Sequence, residues 1–110
     1  MSMLDLSSES YPDASVLRLC GEADFGTVGQ LREALAACVE EASGAVVVDL
    51  TAVDFLDSTV VALLLRVRQG LVREGRRLTV VSRSSRARQM LEMTGTAQTL
   101  RVVGSVDELA

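Results

Sequence analysis

The 110-residue sequence contains no histidine, no lysine and no tryptophan. Without histidine, Ser-His-Asp and Cys-His nucleophilic sites and most zinc sites are excluded. Without lysine there is no P-loop lysine, Ser-Lys dyad or Schiff base. Carboxylate pairs remain, but a chain this short with 3% aromatic residues makes a poor substrate cleft. We therefore expect a protein that is not an enzyme and that uses neither a metal nor a cofactor.

Long apolar runs and paired cysteines are also missing. The longest unbroken apolar runs, such as residues 60–65, are far shorter than the ~20 residues that span a bilayer. The first ten residues have no basic segment and do not form a signal peptide. Cys20 and Cys38 form no CxxC pair and are interpreted as small core residues. These features predict a cytoplasmic domain without membrane insertion.

Charge is distributed unequally along the chain. Through Asp57 there are eleven acids and two arginines, a charge of −9, whereas from Ser58 onward there are four acids and nine arginines, a charge of +5. The arginines of the basic part are scattered, and no aromatic residues that could stack on bases accompany them. Nucleic-acid binding is therefore not expected.

Hydrophobic periodicity divides the chain into alternating strands and helices. We predict strands over residues 2–10, 15–21, 44–50, 77–82 and 99–103, helices over 27–42, 58–75 and 84–95, and a short final helix in 105–110. The order β-β-α-β-α-β-α-β(-α) predicts one α/β domain over residues 1–110, with helices packed on a mixed, mostly parallel sheet. Because 48% of the residues are apolar but few are aromatic, its core should be aliphatic.

The predicted helices carry recognisable boundaries and faces. Thr27 with Gln30 three residues later matches a capping box at the start of the first helix. Gly75 matches the end of the second helix. The first helix should bury one face, formed by Val28, Leu31, Leu35, Cys38 and Ala42.

The second helix is apolar on two neighbouring stripes. The expected core stripe consists of Val60, Leu63, Leu64, Val67 and Leu71. The other stripe, with Val61, Leu65 and Val72, either packs under another element or belongs to a surface that binds a partner. Arg66, Arg68 and Arg73 beside it form a solvated flank or pair with acids of a partner.

The segment "VVVDL", which places Asp49 at a predicted strand end, resembles the phosphoacceptor strand of a response-regulator receiver. A receiver also needs an acidic pair after its first strand and a lysine late in the chain, and both are missing here. That interpretation is excluded, and Asp49 is interpreted as a structural turn or cap residue.

Three ordered motifs resemble those of STAS domains, and of bacterial anti-anti-sigma factors in particular. They are "GEAD" at residues 21–24, "DLTAVDFLDST" at 49–59 and "LEMTG" at 91–95. Spacing and element order agree from about Met3 to Val103. The resemblance implies the STAS fold and an anti-sigma factor antagonist that is switched by phosphorylation.

In such systems the unphosphorylated antagonist binds an anti-sigma factor that is also a serine kinase, and this binding frees a sigma factor. The kinase phosphorylates the antagonist, which dissociates, and a PP2C-type phosphatase resets it. By position, the resemblance implies a phosphoacceptor at Ser58. It also implies a partner-binding surface formed by Glu22, Asp24, Asp57, Ser58, Thr59, Val60, Val61 and Leu65.

Simpler roles exist for several of these residues. Asp57 or Ser58 could cap the second helix, since both types favour that position. Thr59 is an alternative acceptor, and Asp24 an alternative turn acid near Thr27. Gly21 is expected to serve backbone geometry, and Gly95 a helix C-cap.

The sequence departs from the resemblance at Val60, where the family usually has glycine after the hydroxyl pair. A β-branched residue in the first turn is expected to narrow access to the backbone beside Ser58. This departure keeps open an alternative function. The protein would then be a non-phosphorylated STAS scaffold, or a cytoplasmic subunit of a signalling assembly or a lipid transporter.

Overall fold

The computed structural model describes residues 3–42, 44–83, 85–93 and 100–104. In chain order its strands and helices are β1 (Leu4–Tyr11), β2 (Ala14–Ala23), α1 (Val28–Glu41), β3 (Ala45–Leu56), α2 (Ser58–Arg73), β4 (Leu78–Val81), α3 (Ser85–Met93) and β5 (Arg101–Val103). This is the predicted order. The final helix predicted in 105–110 lies outside the described residues.

The described strands form one sheet in the order β1-β2-β3-β4-β5. β1 pairs with β2 in antiparallel orientation, and the three following pairs are parallel. The mixed, mostly parallel sheet predicted from the sequence is confirmed. Because β2 and β3 are parallel, their C-terminal ends lie at the same edge of the sheet. The helices α1 and α2 begin at this edge, directly after those strands.

The main hydrophobic core contains residues of all three helices and of the sheet face that they cover. The face of α1 predicted from the sequence is buried, with Val28, Leu31, Leu35, Cys38 and Ala42 at most 9% exposed. A smaller cluster on the other face of the sheet consists of Val16, Val47, Val81 and Val103. The aliphatic core is confirmed, since Tyr11, Phe25 and Phe55 are all exposed.

Strand β3 is longer than the sequence predicts. The prediction ends the strand at residue 50 and continues with a turn, whereas β3 runs to Leu56, which pairs with Ala23 of β2. Asp49 therefore lies inside the strand, and its predicted position at a strand end is wrong. The physical reason is burial: Leu50, Val53 and Leu56 are each 0% exposed, so the core holds this segment extended despite the polar residues between them.

Helix α1 begins where predicted, but the predicted capping box is wrong. Thr27 is the N-cap residue, yet its side chain caps no amide of α1. Instead, Thr27 Oγ1 donates to the carbonyl of Glu22 at 2.8 Å and accepts the N–H of Asp24 at 3.0 Å. Gln30 Nε2 donates to the carbonyl of Leu4 in β1 at 2.9 Å. Both side chains are thus used for contacts outside the helix.

Helix α2 is closed by Gly75, as predicted. This residue has φ of 72°, and its N–H donates to the carbonyl of Val72 at 3.0 Å. The N–H of Arg76 donates to the carbonyl of Leu71 at 2.8 Å, which completes a Schellman motif. No atom lies within 4 Å of a Cβ built on Gly75, so glycine is required there by the backbone conformation and not by space.

The two cysteines lie in different surroundings. Cys38 in α1 is buried, as predicted. Cys20 in β2 is exposed, so its prediction as a core residue is wrong. It pairs in register with Asp5 of β1 and lines a groove with Arg18 and Asp49, outside the helix-covered core.

Candidate functional site

The carboxylate of Asp57 joins two segments of the chain at the edge where α1 and α2 begin. Asp57 is the N-cap residue of α2, and its Oδ1 accepts the N–H of Val60 at 3.1 Å. Its Oδ2 accepts the N–H of Phe25, in the loop between β2 and α1, at 2.8 Å. The backbone N–H of Asp57 also donates to the carbonyl of Ala23 at 3.2 Å. These bonds fix the β2–α1 loop against the start of α2.

Ser58 is the first residue of α2, and its side chain is exposed. Of the two capping candidates, Asp57 is the one that caps the helix. Within the described residues the hydroxyl of Ser58 makes no hydrogen bond. Thr59, the alternative acceptor, is half-buried. The Ser58 hydroxyl is therefore the more accessible of the pair, and the fold does not depend on it.

The end of β2 and the loop that follows it bring Glu22 and Asp24 to the same edge. Glu22 is exposed and Asp24 half-buried, with Asp24 Oδ1 accepting the N–H of Gly26 at 2.9 Å. Gly21, directly before them, has φ of 117°, and a Cβ there would lie 2.5 Å from the carbonyl oxygen of Met3. The predicted backbone role of Gly21 is confirmed, because no other residue allows this close approach at this φ.

The apolar residues predicted at the site lie mostly beneath its surface. Val60 is 0% and Val61 4% exposed, and half-buried Leu65 packs against the core. Val60 therefore points inward, and its side chain adds no bump beside Ser58. The second apolar stripe predicted on α2 is not continuous at the surface, since only Val72, near the other end of the helix, is strongly exposed.

Asp49 belongs to a different cluster, on the face of the sheet that carries Cys20. Its Oδ1 accepts the N–H of Thr51 at 2.9 Å, and its Oδ2 lies 3.5 Å from Nε of Arg18. Arg18 also pairs with Glu9 of β1. The hydroxyl of Tyr11, and after it Arg18, holds the pKa of Glu9 below its ordinary value. Asp49 thus links adjacent strands from inside β3, and its predicted role as a turn or cap residue is wrong.

Two exposed aromatic residues that were not predicted as part of the site are connected to Asp57 through the backbone. Phe25, whose N–H binds Asp57, is 77% exposed, and Phe55, two residues before Asp57, is 48% exposed. Exposed apolar side chains that cluster on a surface often mark an interface. Their position in the sequence could have identified them, because each phenylalanine directly follows an aspartate of a family motif.

The third family motif is described only in part. Leu91 of α3 is fully buried, and Met93 at the end of α3 is strongly exposed. Residues 94 and 95, including the predicted C-cap Gly95, lie outside the described residues.

Metal ligands and membrane spans can be assessed only for the part of the chain that the structure describes. There, no three histidine, cysteine, aspartate or glutamate side chains come together as ligands. No helix in that part is long and apolar enough to cross a membrane.

The sequence matches the STAS domain over residues 5–109, and the chain therefore belongs to the STAS domain family. Its fold is the STAS fold of anti-sigma factor antagonists. The crystal structure of an anti-sigma factor antagonist from Mycobacterium paratuberculosis has a TM-score of 0.88 at 29% identity, covering 96% of this chain and 90% of that one. No curated protein matches the sequence.

SpoIIAA, an anti-sigma factor antagonist, has the same fold in two states. In its unphosphorylated form the TM-score is 0.79 at 21% identity, covering 96% of this chain and 92% of that one. For the Bacillus cell fate determinant SpoIIAA in the phosphorylated form, the TM-score is 0.71 at 21% identity, covering 96% of each chain.

Proposed function

We propose that this protein is an anti-sigma factor antagonist that is switched at Ser58. Its unphosphorylated form binds an anti-sigma factor with serine kinase activity and so releases the sigma factor. The kinase transfers the γ-phosphoryl group of ATP to the Ser58 hydroxyl, the modified protein dissociates, and a PP2C-type phosphatase removes the phosphate. The protein acts in the cytoplasm by binding and catalyses no step itself.

The observation that carries this proposal is that Asp57, and not Ser58, makes the structural contacts at the start of α2. Asp57 supplies the cap of α2 and the link to Phe25, which leaves the Ser58 hydroxyl exposed and without a structural task. A hydroxyl with this freedom can enter a kinase active site without unfolding the helix. The two recorded forms of SpoIIAA, unphosphorylated and phosphorylated, support the same kind of switch here.

The proposed partner surface surrounds Ser58. Its exposed and half-buried members are Glu22, Asp24, Asp57, Ser58 and Thr59. The remaining predicted residues, Val60, Val61 and Leu65, support this surface from below, because their side chains pack into the core or against it.

A phosphate at Ser58 changes this surface mainly through charge. It adds about −1.5 to −2 at neutral pH to an edge that already carries acids. Like charges about 7 Å apart repel by roughly 2 kcal/mol at an effective dielectric of about 20. Since 1.4 kcal/mol corresponds to about tenfold in affinity, one such contact with a partner acid suffices to release the partner.

The alternative, a non-phosphorylated scaffold or transporter subunit, was suggested by Val60 in place of glycine. Because the Val60 side chain is buried, it does not obstruct Ser58, and this argument for the alternative is lost. The phosphorylation switch is therefore the function that we favour.

Phosphate transfer is tested with the purified protein, ATP and anti-sigma kinases of its host. One phosphate should be added, Ser58→Ala should abolish the transfer, and the neighbouring Thr59→Ala should retain it. Mass spectrometry locates the phosphate. Transfer to Ser58→Ala at the wild-type rate, or no transfer with any host kinase, would refute the proposed acceptor.

Partner release is tested by calorimetry with the same kinase. Ser58→Asp should bind more weakly than Ser58→Ala, and added salt should narrow the difference because the effect is electrostatic. Equal affinities of the two variants at low salt would leave a binding module without a phosphorylation switch.

A further inference from the structure

A groove of about 560 Å³ lies at the end of α2 opposite to Ser58. It is formed by the last turns of α2 and the first residues of β4 and β5. Four arginines line it, together with two aliphatic residues: Arg68, Arg76, Arg77, Arg101, Val72 and Leu78. We call it the arginine groove. It concentrates positive charge in a protein whose net charge is −4.

One of the four arginines has a structural role. Arg76 Nε donates to the carbonyl of Gly44 at 2.9 Å, and its Nη2 donates to that of Ala42 at 2.5 Å. Its Nη1 pairs with Glu74 at 3.2 Å. Arg76 therefore ties the end of α2 to the segment that leads from α1 into β3.

The other three guanidinium groups have no such role. In the described part of the chain, the side chains of Arg68, Arg77 and Arg101 make neither a hydrogen bond nor an ion pair. Their like charges repel one another around the groove, and an anionic ligand would relieve this repulsion. A guanidinium group binds a carboxylate through two parallel hydrogen bonds, which favours this ligand chemistry.

The groove also has an apolar component. Val72 is 49% exposed and presents an apolar surface to the groove. Leu78, which also lines the groove, is 2% exposed. A ligand that fits therefore carries an aliphatic group as well as carboxylates. We propose that the arginine groove binds an acidic segment of a partner protein, with glutamates or aspartates on both sides of an aliphatic residue.

A nucleic acid fits these surroundings less well than a protein segment. The aromatic residues of the chain are Tyr11, Phe25 and Phe55. None of them lines the groove, so no aromatic side chain is available there for bases to stack on. A long polyanion is also repelled by the acidic remainder of the surface. A short acidic segment contacts the arginines of the groove and does not extend onto the acidic surface around them.

This inference goes beyond the proposed function and does not depend on it. The groove residues of α2, Arg68 and Val72, follow Ser58 by 10 and 14 positions, which is roughly 15–21 Å at 1.5 Å per residue. Binding in the groove should therefore be insensitive to the charge at Ser58.

The binding experiment uses fluorescence anisotropy with the full chain and a labelled synthetic peptide of glutamates around a central leucine. The wild-type protein should bind it. The double variant of the exposed residues Arg77→Gln and Arg101→Gln should weaken binding by about tenfold or more. The matched double variant Arg32→Gln with Arg86→Gln removes the same charge elsewhere and should bind like the wild type.

Three further measurements define the ligand. A peptide with glutamine in place of glutamate should not bind, Val72→Ser should weaken binding of the acidic peptide several-fold, and Ser58→Asp should leave it unchanged. Circular dichroism confirms that each variant is folded, and Arg68→Gln gives an independent second test of the groove.

Several outcomes would overturn the proposal. These are no binding by the wild-type protein at low salt, equal loss in both double variants, or unchanged affinity in the folded Arg77/Arg101 variant. Binding of a single-stranded oligonucleotide at the same arginines, tighter than the peptide, would replace the acidic segment by a nucleic acid. Failure of Ser58 phosphorylation would leave the groove unaffected, so the two proposals can fail separately.

Discussion

Helix α2 begins and ends in opposite electrostatic surroundings. At its start, the Asp57 carboxylate accepts N–H groups from Val60 and Phe25, so its negative charge is satisfied within the protein. At its end, Arg68, Arg77 and Arg101 of the arginine groove have no internal partner among the described residues. Acids at a helix start and bases at its end both agree with the helix dipole.

Charged residues that look equivalent in the sequence can thus have different roles in the structure. The acid at the start of α2 holds two segments together, and its removal should damage the fold. Among the arginines at the end, Arg77 and Arg101 are exposed and have no partner among the described residues, so their removal should affect binding alone. Substitutions along one helix can therefore distinguish residues that stabilise the fold from residues that are available to bind a partner.

The largest expected effect is at Val60, beneath the start of α2. Val60→Gly should lower the free energy of unfolding by about 3 kcal/mol, because it removes a fully buried side chain and places glycine in a helix. Urea denaturation measures the loss. The matched change Val72→Gly, at a half-exposed position near the end of the same helix, should cost only about 1 kcal/mol. Similar losses at both positions would contradict the inward orientation of Val60.

The second effect is at Asp57. Asp57→Ala should destabilise the protein by about 2 kcal/mol, because the helix loses its cap and the β2–α1 loop loses its bond to Phe25. Asp57→Asn keeps an oxygen that can cap and should cost about half as much. Thermal unfolding of both variants compares them. Equal losses for Ala and Asn would show that the charge, and not the acceptor, matters here.

A third effect distinguishes a glycine inside the second half of α2 from one that follows the helix. Gly75→Ala should cost about 1 kcal/mol, because its φ of 72° strains any residue with a Cβ. Gly70→Ala, inside the helix and with open space around its Cβ, should instead stabilise by about 0.5–1 kcal/mol. Urea denaturation gives both signs. Destabilisation by Gly70→Ala would mean that its surroundings are tighter than described.

The smallest expected effect is on stability at the proposed acceptor. Ser58→Asp should change the free energy of unfolding by less than about 0.5 kcal/mol, because the side chain is exposed and helix starts tolerate acids. Repulsion from Asp57 opposes the favourable dipole. A loss above about 1 kcal/mol, measured by urea denaturation at low salt, would mean that Ser58 supports the fold and is poorly placed for a switch.

Local chemistry made part of this molecule predictable from its sequence. The residues Asp57, Ser58 and Gly75 mark the ends of α2 through preferences that depend on neighbouring backbone groups. The buried face of α1 followed from helical spacing. Such features need no knowledge of distant contacts.

The errors arose where distant contacts decide. Gln30 matched a capping box in sequence, but it reaches the carbonyl of Leu4 in another strand. Asp49 looked like the end of a strand, but Arg18 of the neighbouring strand allows it to be buried inside β3. The arginine groove unites residues more than 30 positions apart, which only the sheet order brings together.

The shared use of the Asp57 carboxylate has a consequence for amide hydrogen exchange. The amides of Phe25 and Val60 lie in different elements, yet each donates to an oxygen of the same side chain. A rotation of Asp57 away from the helix exposes both amides to water at once. Deuterium uptake at the two amides should therefore change together. A phosphate on Ser58 that displaces Asp57 will increase the uptake at both amides.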